Sequence, residues 1–438
     1  MEKWHQRKQH NEVILFKNAR IIDPLTRMDA LGSLKVQNGK IVKIYSDYDV
    51  DESDVNKIID CKKNILMPGI IDLQCHLREP GQTHKEDIKS GSKSAARGGI
   101  TTGVCQPNTK PLIADIITFQ WLQNIIKEKS YINIEIYPQV SIDNALTPLE
   151  QFAELGAVGF TNDGAPVDDP LIMKYALMQS KTLNLPIAQH AEDISLTNGG
   201  CIADGYVSEK LGVAGISNSS ESTIVARDIL LTEETGGVYH LLHASTKQSV
   251  EMIKIAKDKG LNVTCEAAPH HFILNESAVL EHGTLAKMNP PLRSEEDRQA
   301  IEDGLKSGVI DCIATDHAPH EVESKNLPLE KAAFGIVGFE TLLPLSLRLY
   351  HEKGMELIDV LQKLTCNPAK VIRKSYGVLT EGAPADLVLF SLDHEWIIKN
   401  ENFVSKSKNS PFDNMKVKGK AIMTISNGAI VYEDLALL

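Results

Sequence analysis

The chain has 438 residues, room for one large domain with a smaller companion, or for a single α/β barrel with additions. Its 46 basic and 58 acidic residues leave a net charge of −12, which counts against a nucleic-acid-binding surface. No run of about 18 apolar residues occurs, so no membrane span is expected, and the polar stretch from Met1 to Glu12 lacks the apolar centre of a secretory leader. The seven cysteines, Cys61, Cys75, Cys105, Cys201, Cys265, Cys312 and Cys366, are scattered without a Cys-x-x-Cys pair. That pattern predicts reduced thiols in a cytoplasmic protein.

In chain order, Val13–Asp23 reads as a strand. Ser33–Ile44 alternates with period two around Asn38-Gly39, a hairpin turn. The C-terminal end is built alike. Asp386–Phe390 is an apolar strand, and Ala421–Tyr432 carries a second turn at Asn427-Gly428. Each end is too small to form a core alone. They are expected to pack together as one small β-sandwich domain, its parts being residues 1–64 and 376–438.

Between them, residues 65–375 alternate strands and helices. Strand candidates are Ile65–Gln74, Ile100–Cys105, Ile132–Gln139, Ala157–Phe160, Pro186–Gln189, Val238–Leu242, Leu261–Glu266 and Val309–Ala314. Helices are expected at Asp169–Leu183, Glu221–Glu234, Thr246–Lys259 and Glu295–Gly304. Eight such units predict an α/β fold, a (β/α)8 TIM-like barrel with its site at the C-terminal strand ends.

Polar residues gather at those ends. In the first strand Asp72, Gln74 and His76 follow at every second position, which directs them to one face. Arg78 continues the series, while Cys75 is turned away. Later strands end in Gln106-Pro107-Asn108, Thr161-Asn162-Asp163-Gly164, Gln189-His190-Ala191-Glu192, His240-Leu-Leu-His243, Pro269-His270-His271 and Thr315-Asp316-His317-Ala318-Pro319-His320. A lone histidine after a strand is more often a hydrogen-bonded core residue than a ligand. Nitrogen and oxygen donors arriving from many strands are the makings of a zinc site.

The run His76-Leu77-Arg78-Glu79-Pro80-Gly81 resembles the bacterial type I dihydroorotases of the amidohydrolase superfamily. So do Thr315–His320, Asn289-Pro-Pro-Leu-Arg293 and Phe334-Gly-Ile-Val-Gly338. The resemblance runs from about Asn18 to Tyr432. It implies reversible zinc-dependent cyclisation of N-carbamoyl-L-aspartate to dihydroorotate in de novo pyrimidine synthesis. It makes Asp163 a carboxylate bridging two zinc positions, one completed by His190 and His243, the other by His76 and Asp316. Asp316 doubles as general base and acid. Arg78, Asn108 and His320 are implied to hold the substrate carboxylate, Asn289 and the backbone near Phe334 and Gly335 to touch the pyrimidine ring, and His76 to bind substrate as well as metal.

One position departs from the pattern: Gln74 stands where the family has the first histidine of its His-x-His motif. A neutral amide is a poor replacement for imidazole on zinc. One zinc is therefore expected to be held firmly at Asp163, His190 and His243, and a second weakly or not at all. The partners expected are the small-molecule substrate and a second copy of the chain. The alternative is a catalytically impaired subunit serving an aspartate carbamoyltransferase. An allantoinase-like hydrolase is disfavoured, because no lysine ends the fourth strand. His240 and His270 are read as structural, Arg293 as a surface partner of Glu295 or Glu296, and His5, His10, His282, His351 and His394 as surface groups.

Overall fold

The computed structural model describes residues 1–7, 12–46 and 50–438. His10 lies outside them. Eight short parallel strands form the barrel: β1 (Ile70–Cys75), β2 (Ile100–Cys105), β3 (Asn133–Ile136), β4 (Phe160–Thr161), β5 (Ile187–Gln189), β6 (Tyr239–Leu241), β7 (Val263–Ala267) and β8 (Cys312–Ile313). Backbone pairing runs β1-β2-β3 and β4-β5-β6-β7-β8. Two bonds close the ring: Thr161 N–H donates to Pro138 O at 3.1 Å, and His76 N–H to His317 O at 2.8 Å. Ile71, Leu73, Val104, Ala188, Leu242 and Cys312 pack as one buried cluster inside it.

The outer helices start where a short polar side chain can cap them. Asp169, Ser217, Thr246 and Ser294 accept from first-turn N–H groups of Pro170–Leu183, Asn218–Thr235, Lys247–Asp258 and Glu295–Ser307. Among the described residues no helix is long and apolar enough to cross a membrane. All seven cysteines are buried and free.

Both chain ends contribute to one nine-stranded sheet, in which Leu387–Ile397 pairs with Ile65–Pro68 and the latter with Ile14–Asp23. The sheet curls over a shared core: Phe16, Leu34, Val36 and Ile41 touch the same cluster as Leu387, Leu389, Met423 and Ile425. The two expected hairpins meet at their tips. A Cβ on Gly428, at φ +77°, would stand 2.6 Å from Gly39 Cα, so only glycine fits.

The stretch expected as one strand, Ile65–Gln74, is two. Ile65–Pro68 belongs to the curled sheet and β1 to the barrel. The chain changes sheets at Gly69, whose N–H donates to Asp386 O at 2.8 Å. Any Cβ there would meet Thr101 Oγ1 at 2.0 Å.

Candidate active site

The first strand does not alternate as its sequence suggests. Pairing to β2 shifts register between Asp72 and Cys75, which marks a bulge. Ile71 and Leu73 keep to the barrel interior, and Cys75 packs among the outer core with Ile70 and Leu77. Gln74 and His76 reach the mouth, but Asp72 does not join them. Its carboxylate accepts from Thr315 N–H at 2.8 Å and Thr315 Oγ1 at 2.6 Å, fastening the β8 turn to β1. Asp316, the next residue, has φ +47°, His243 has φ +32° and Arg78 φ +59°. Three strand-end residues thus hold backbone conformations that cost energy unless their surroundings enforce them.

Asp163, His190 and His243 converge. His190 Nδ1 lies 3.2 Å from Asp163 Oδ1 and 2.9 Å from His243 Nε2, and His243 Nε2 lies 3.5 Å from the same oxygen. Donor atoms about 2.0–2.2 Å from a tetrahedral zinc stand about 3.3–3.6 Å apart, so this triangle is close to one face of such a site. The outer nitrogen of His190, Nε2, sits 3.1 Å from Glu192 Oε2. When Nε2–H donates to Glu192, the neutral ring turns its Nδ1 lone pair toward the triangle. The cluster demands positive charge. Burial would push His190 down, yet the Asp163 and Glu192 carboxylates raise it to about 10. Burial likewise favours a neutral Asp163, but bonds from His190 and His243 hold its carboxyl well below the usual range.

The other Asp163 oxygen serves a second group. His76 Nε2 lies 3.3 Å from Asp163 Oδ2 and 3.2 Å from Asp316 Oδ1, while its Nδ1 meets Asn108 Oδ1 at 2.8 Å. Here Gln74 shows its effect. Its Nε2 donates to Asp163 Oδ2 at 3.1 Å. A proton donor points where a histidine lone pair would complete the donor set.

Beside the two groups lies a cradle for an anion. Arg78 is buried, and no carboxylate among the described residues pairs with it. Its Nε reaches Pro319 O at 3.3 Å and its Nη2 comes within 3.4 Å of His320 Nε2. Burial pushes Arg78 down to about 10, against the pull of Asp316 and Asp163, so the guanidinium stays charged at neutral pH. Asn108 spends its oxygen on His76 and leaves Nδ2 free to donate. Gly164 makes room for it, since a Cβ there would stand 3.1 Å away. A buried, unpaired guanidinium is costly unless an anion comes to it.

Asn289 Nδ2 bonds Glu192 Oε2 at 3.1 Å and faces His190 Nε2 at 3.4 Å. Gly335, at φ +129°, lies against His320, where a Cβ would touch Cδ2 at 3.3 Å. Its backbone groups are engaged within the protein: N–H with Lys287 O, C=O with Lys325 Nζ and Asn409 Nδ2. Phe334 lies under Lys287 Nζ, 4.1 Å from its ring centre. His240 meets Thr264 and Glu266, and His271 bonds Pro290 O; neither belongs to the two donor groups. Arg293 is not a surface residue. It is buried, bonds Ser245 Oγ and Ile216 O, and sits in the field of Glu221.

Sequence reasoning gave no role to Glu192 or Glu221. Glu192 was findable, two positions after His190 at the same strand end. Glu221 is on a helix, and its carboxylate accepts from the N–H and hydroxyl of both Ser245 and Thr246, just after His243.

A family model described as dihydro-orotase-like matches residues 63–249. The chain is 55% identical to a dihydroorotase of Wolbachia sp. subsp. Drosophila simulans (strain wRi), over 96% of each chain. Against a dihydroorotase of Clostridioides difficile (strain 630) it is 43% identical, over 96% of this chain and 100% of the other. Among solved structures, the L-hydantoinase (dihydropyrimidinase) of Arthrobacter aurescens superposes with a TM-score of 0.86 at 26% identity, over 96% of each chain. Near-full-length likeness at these identities, on a barrel whose strand ends gather two histidine–carboxylate groups, places the chain in the dihydroorotase family of the amidohydrolase superfamily.

Proposed function

We propose that this chain catalyses the reversible closure of N-carbamoyl-L-aspartate to dihydroorotate, the cyclic-amide step of de novo pyrimidine synthesis, in the cytoplasm. One observation carries the reading: a donor triangle of zinc dimensions stands beside a buried guanidinium that, among the described residues, has no carboxylate partner. Asp163, His190 and His243 would hold one zinc firmly. The position at His76, Asp163 and Asp316 is weaker, because Gln74 donates a proton to the shared carboxylate. Held there, a zinc ion would supply Lewis acidity for polarising the amide carbonyl and for lowering the pKa of water to about 7.

The side chains divide the remaining work. Arg78, Asn108 and His320 take the ring carboxylate and fix the ring's orientation, with Asn289 and the Phe334-Gly335 segment along its edge. Fixing the ring makes attack effectively unimolecular. Asp316 moves the proton. In ring opening it accepts from the attacking water as the new C–O bond forms, then gives the proton to the ring nitrogen as the C–N bond breaks. Closure runs the same transfers backward. His76 Nε2, 3.2 Å from Asp316 Oδ1, keeps that carboxylate oriented. The functional unit is a homodimer of the bacterial type I class. An impaired subunit dependent on an aspartate carbamoyltransferase is not favoured, since relatives named for the enzyme match over almost the whole chain.

The test is turnover of dihydroorotate by zinc-loaded protein, with Asp316→Asn alongside. Asp316→Asn should keep its firmly held metal and lose about 10²–10⁴-fold in kcat. Wild-type turnover by a metal-loaded Asp316→Asn protein overturns the proton assignment.

A further inference from the structure

His320 stands between two cations. Its Nε2 lies 3.4 Å from Arg78 Nη2, and its Nδ1 lies 3.5 Å from Lys85 Nζ. Guanidinium and ammonium groups carry only donors, whereas a neutral imidazole has one donor nitrogen and one acceptor. One contact is therefore a hydrogen bond, and the other sets two N–H groups against each other. Burial, with Arg78 and Lys85 on either side, pushes His320 down to about 2, so its ring is neutral.

The two ring edges are not equivalent. Nε2 lies on the edge toward Arg78, whose guanidinium sits in the field of Asp316 and Asp163 and, more weakly, of Glu321. Lys85 lies on the other side, 3.8 Å from Glu321 Oε2. Its backbone is anchored, N–H to Gln82 O at 2.9 Å and C=O from Ser407 Oγ at 2.8 Å.

We propose that Lys85 is a positioning residue that fixes the tautomer of His320. Lys85 Nζ donates to Nδ1, which leaves Nε2–H beside Arg78 Nη2–H, both aimed at one anionic group. Adjacent N–H groups repel until a carboxylate accepts from both, so the pair favours an anion over a neutral ring substituent. The reverse tautomer turns Nδ1–H onto the ammonium, on the side where a substrate cannot relieve the clash. The anion is the ring carboxylate of dihydroorotate. That identity rests on the proposed function; the tautomer does not.

Histidine tautomers are read directly from long-range nitrogen–proton correlations in nitrogen-15 histidine-labelled, zinc-loaded protein, with His320→Gln identifying the resonance. His320 is expected as Nε2–H in the wild type, shifting toward Nδ1–H in Lys85→Met. In Lys85→Met, KM for dihydroorotate should rise about tenfold with kcat within about twofold. Lys85→Arg should restore KM, and Lys85→Met should add nothing in a His320→Gln background. An Nδ1–H tautomer in the wild type overturns the proposal. So does a tenfold KM rise that persists without His320, because Lys85 then acts by charge alone. If the wild type does not turn over dihydroorotate, the functional reading fails while the spectrum still decides the tautomer.

Discussion

Replacing Gln74 with histidine tests the metal reading most sharply. Gln74 is 1% exposed, and its Nε2 donates to Asp163 Oδ2 at 3.1 Å. A cation entering between His76, Asp163 and Asp316 must displace that proton from the oxygen it needs. A hydrogen bond to a charged group contributes about 1.5–3 kcal/mol, and about 1.4 kcal/mol is tenfold in affinity. The second position is thus expected to bind about 10–100-fold more weakly than the same group without the amide. Gln74→His removes the obstacle and adds a lone pair, with little change in buried volume. The firm position keeps Asp163, His190 and His243 and should change little. Zinc titration against a competing chelator measures both sites. Wild type should saturate one tight site, and Gln74→His should show two. Two equally tight sites in the wild type, or one alone in Gln74→His, refutes the reasoning.

Two further outcomes follow from buried carboxyls outside the metal groups. Asp72→Ala leaves the buried Thr315 N–H without its acceptor, while Thr315 Oγ1 keeps only Gln74 O, at 3.1 Å. Unfolding should need about 1–3 kcal/mol less, seen as a lower urea midpoint, and an unchanged midpoint contradicts the role given to Asp72. Glu266 is fully buried, and burial, with Asp316 and Asp163 nearby, raises it from 4.5 to about 8. The folded state therefore binds this proton more tightly than the unfolded chain. Stability is fully present below about 4.5 and is lost as pH rises through about 8. Glu266→Gln should melt higher than wild type, by a margin that grows between those limits; a margin independent of pH rejects the buried-proton account.

The barrel was legible because its rule is simple. Parallel strands joined by helices put every strand's C-terminal end on one rim, so polar residues after separate strands converge wherever they lie in the chain. Asp163 and His243 are 80 positions apart, yet sit 3.5 Å from one another. The hairpins were legible because Asn38-Gly39 and Asn427-Gly428 supply the positive φ angles that such turns require. What escaped depends on tertiary neighbours. The break at Gly69 needs Thr101 beside it, and the bulge after Asp72 needs the register of β2. Arg293 looked like a surface group because Glu295 and Glu296 follow it, whereas its partners are Ser245 and Ile216.

Gln74 shows where pattern and physics separate. As a pattern it is a missing ligand. In the structure it is a donor that completes the hydrogen bonding of Asp163. A buried carboxylate shared by two cations needs both oxygens satisfied; with one cation, its second oxygen needs a proton donor instead. Gln74 supplies that donor. His76 and Asp316 are then released from the demand to hold metal tightly, and remain 3.2 Å apart beside the firm position. On the proposed reading, Gln74 would move Asp316 from ligand toward proton carrier, and the three-residue donor triangle and the anion cradle would do the rest.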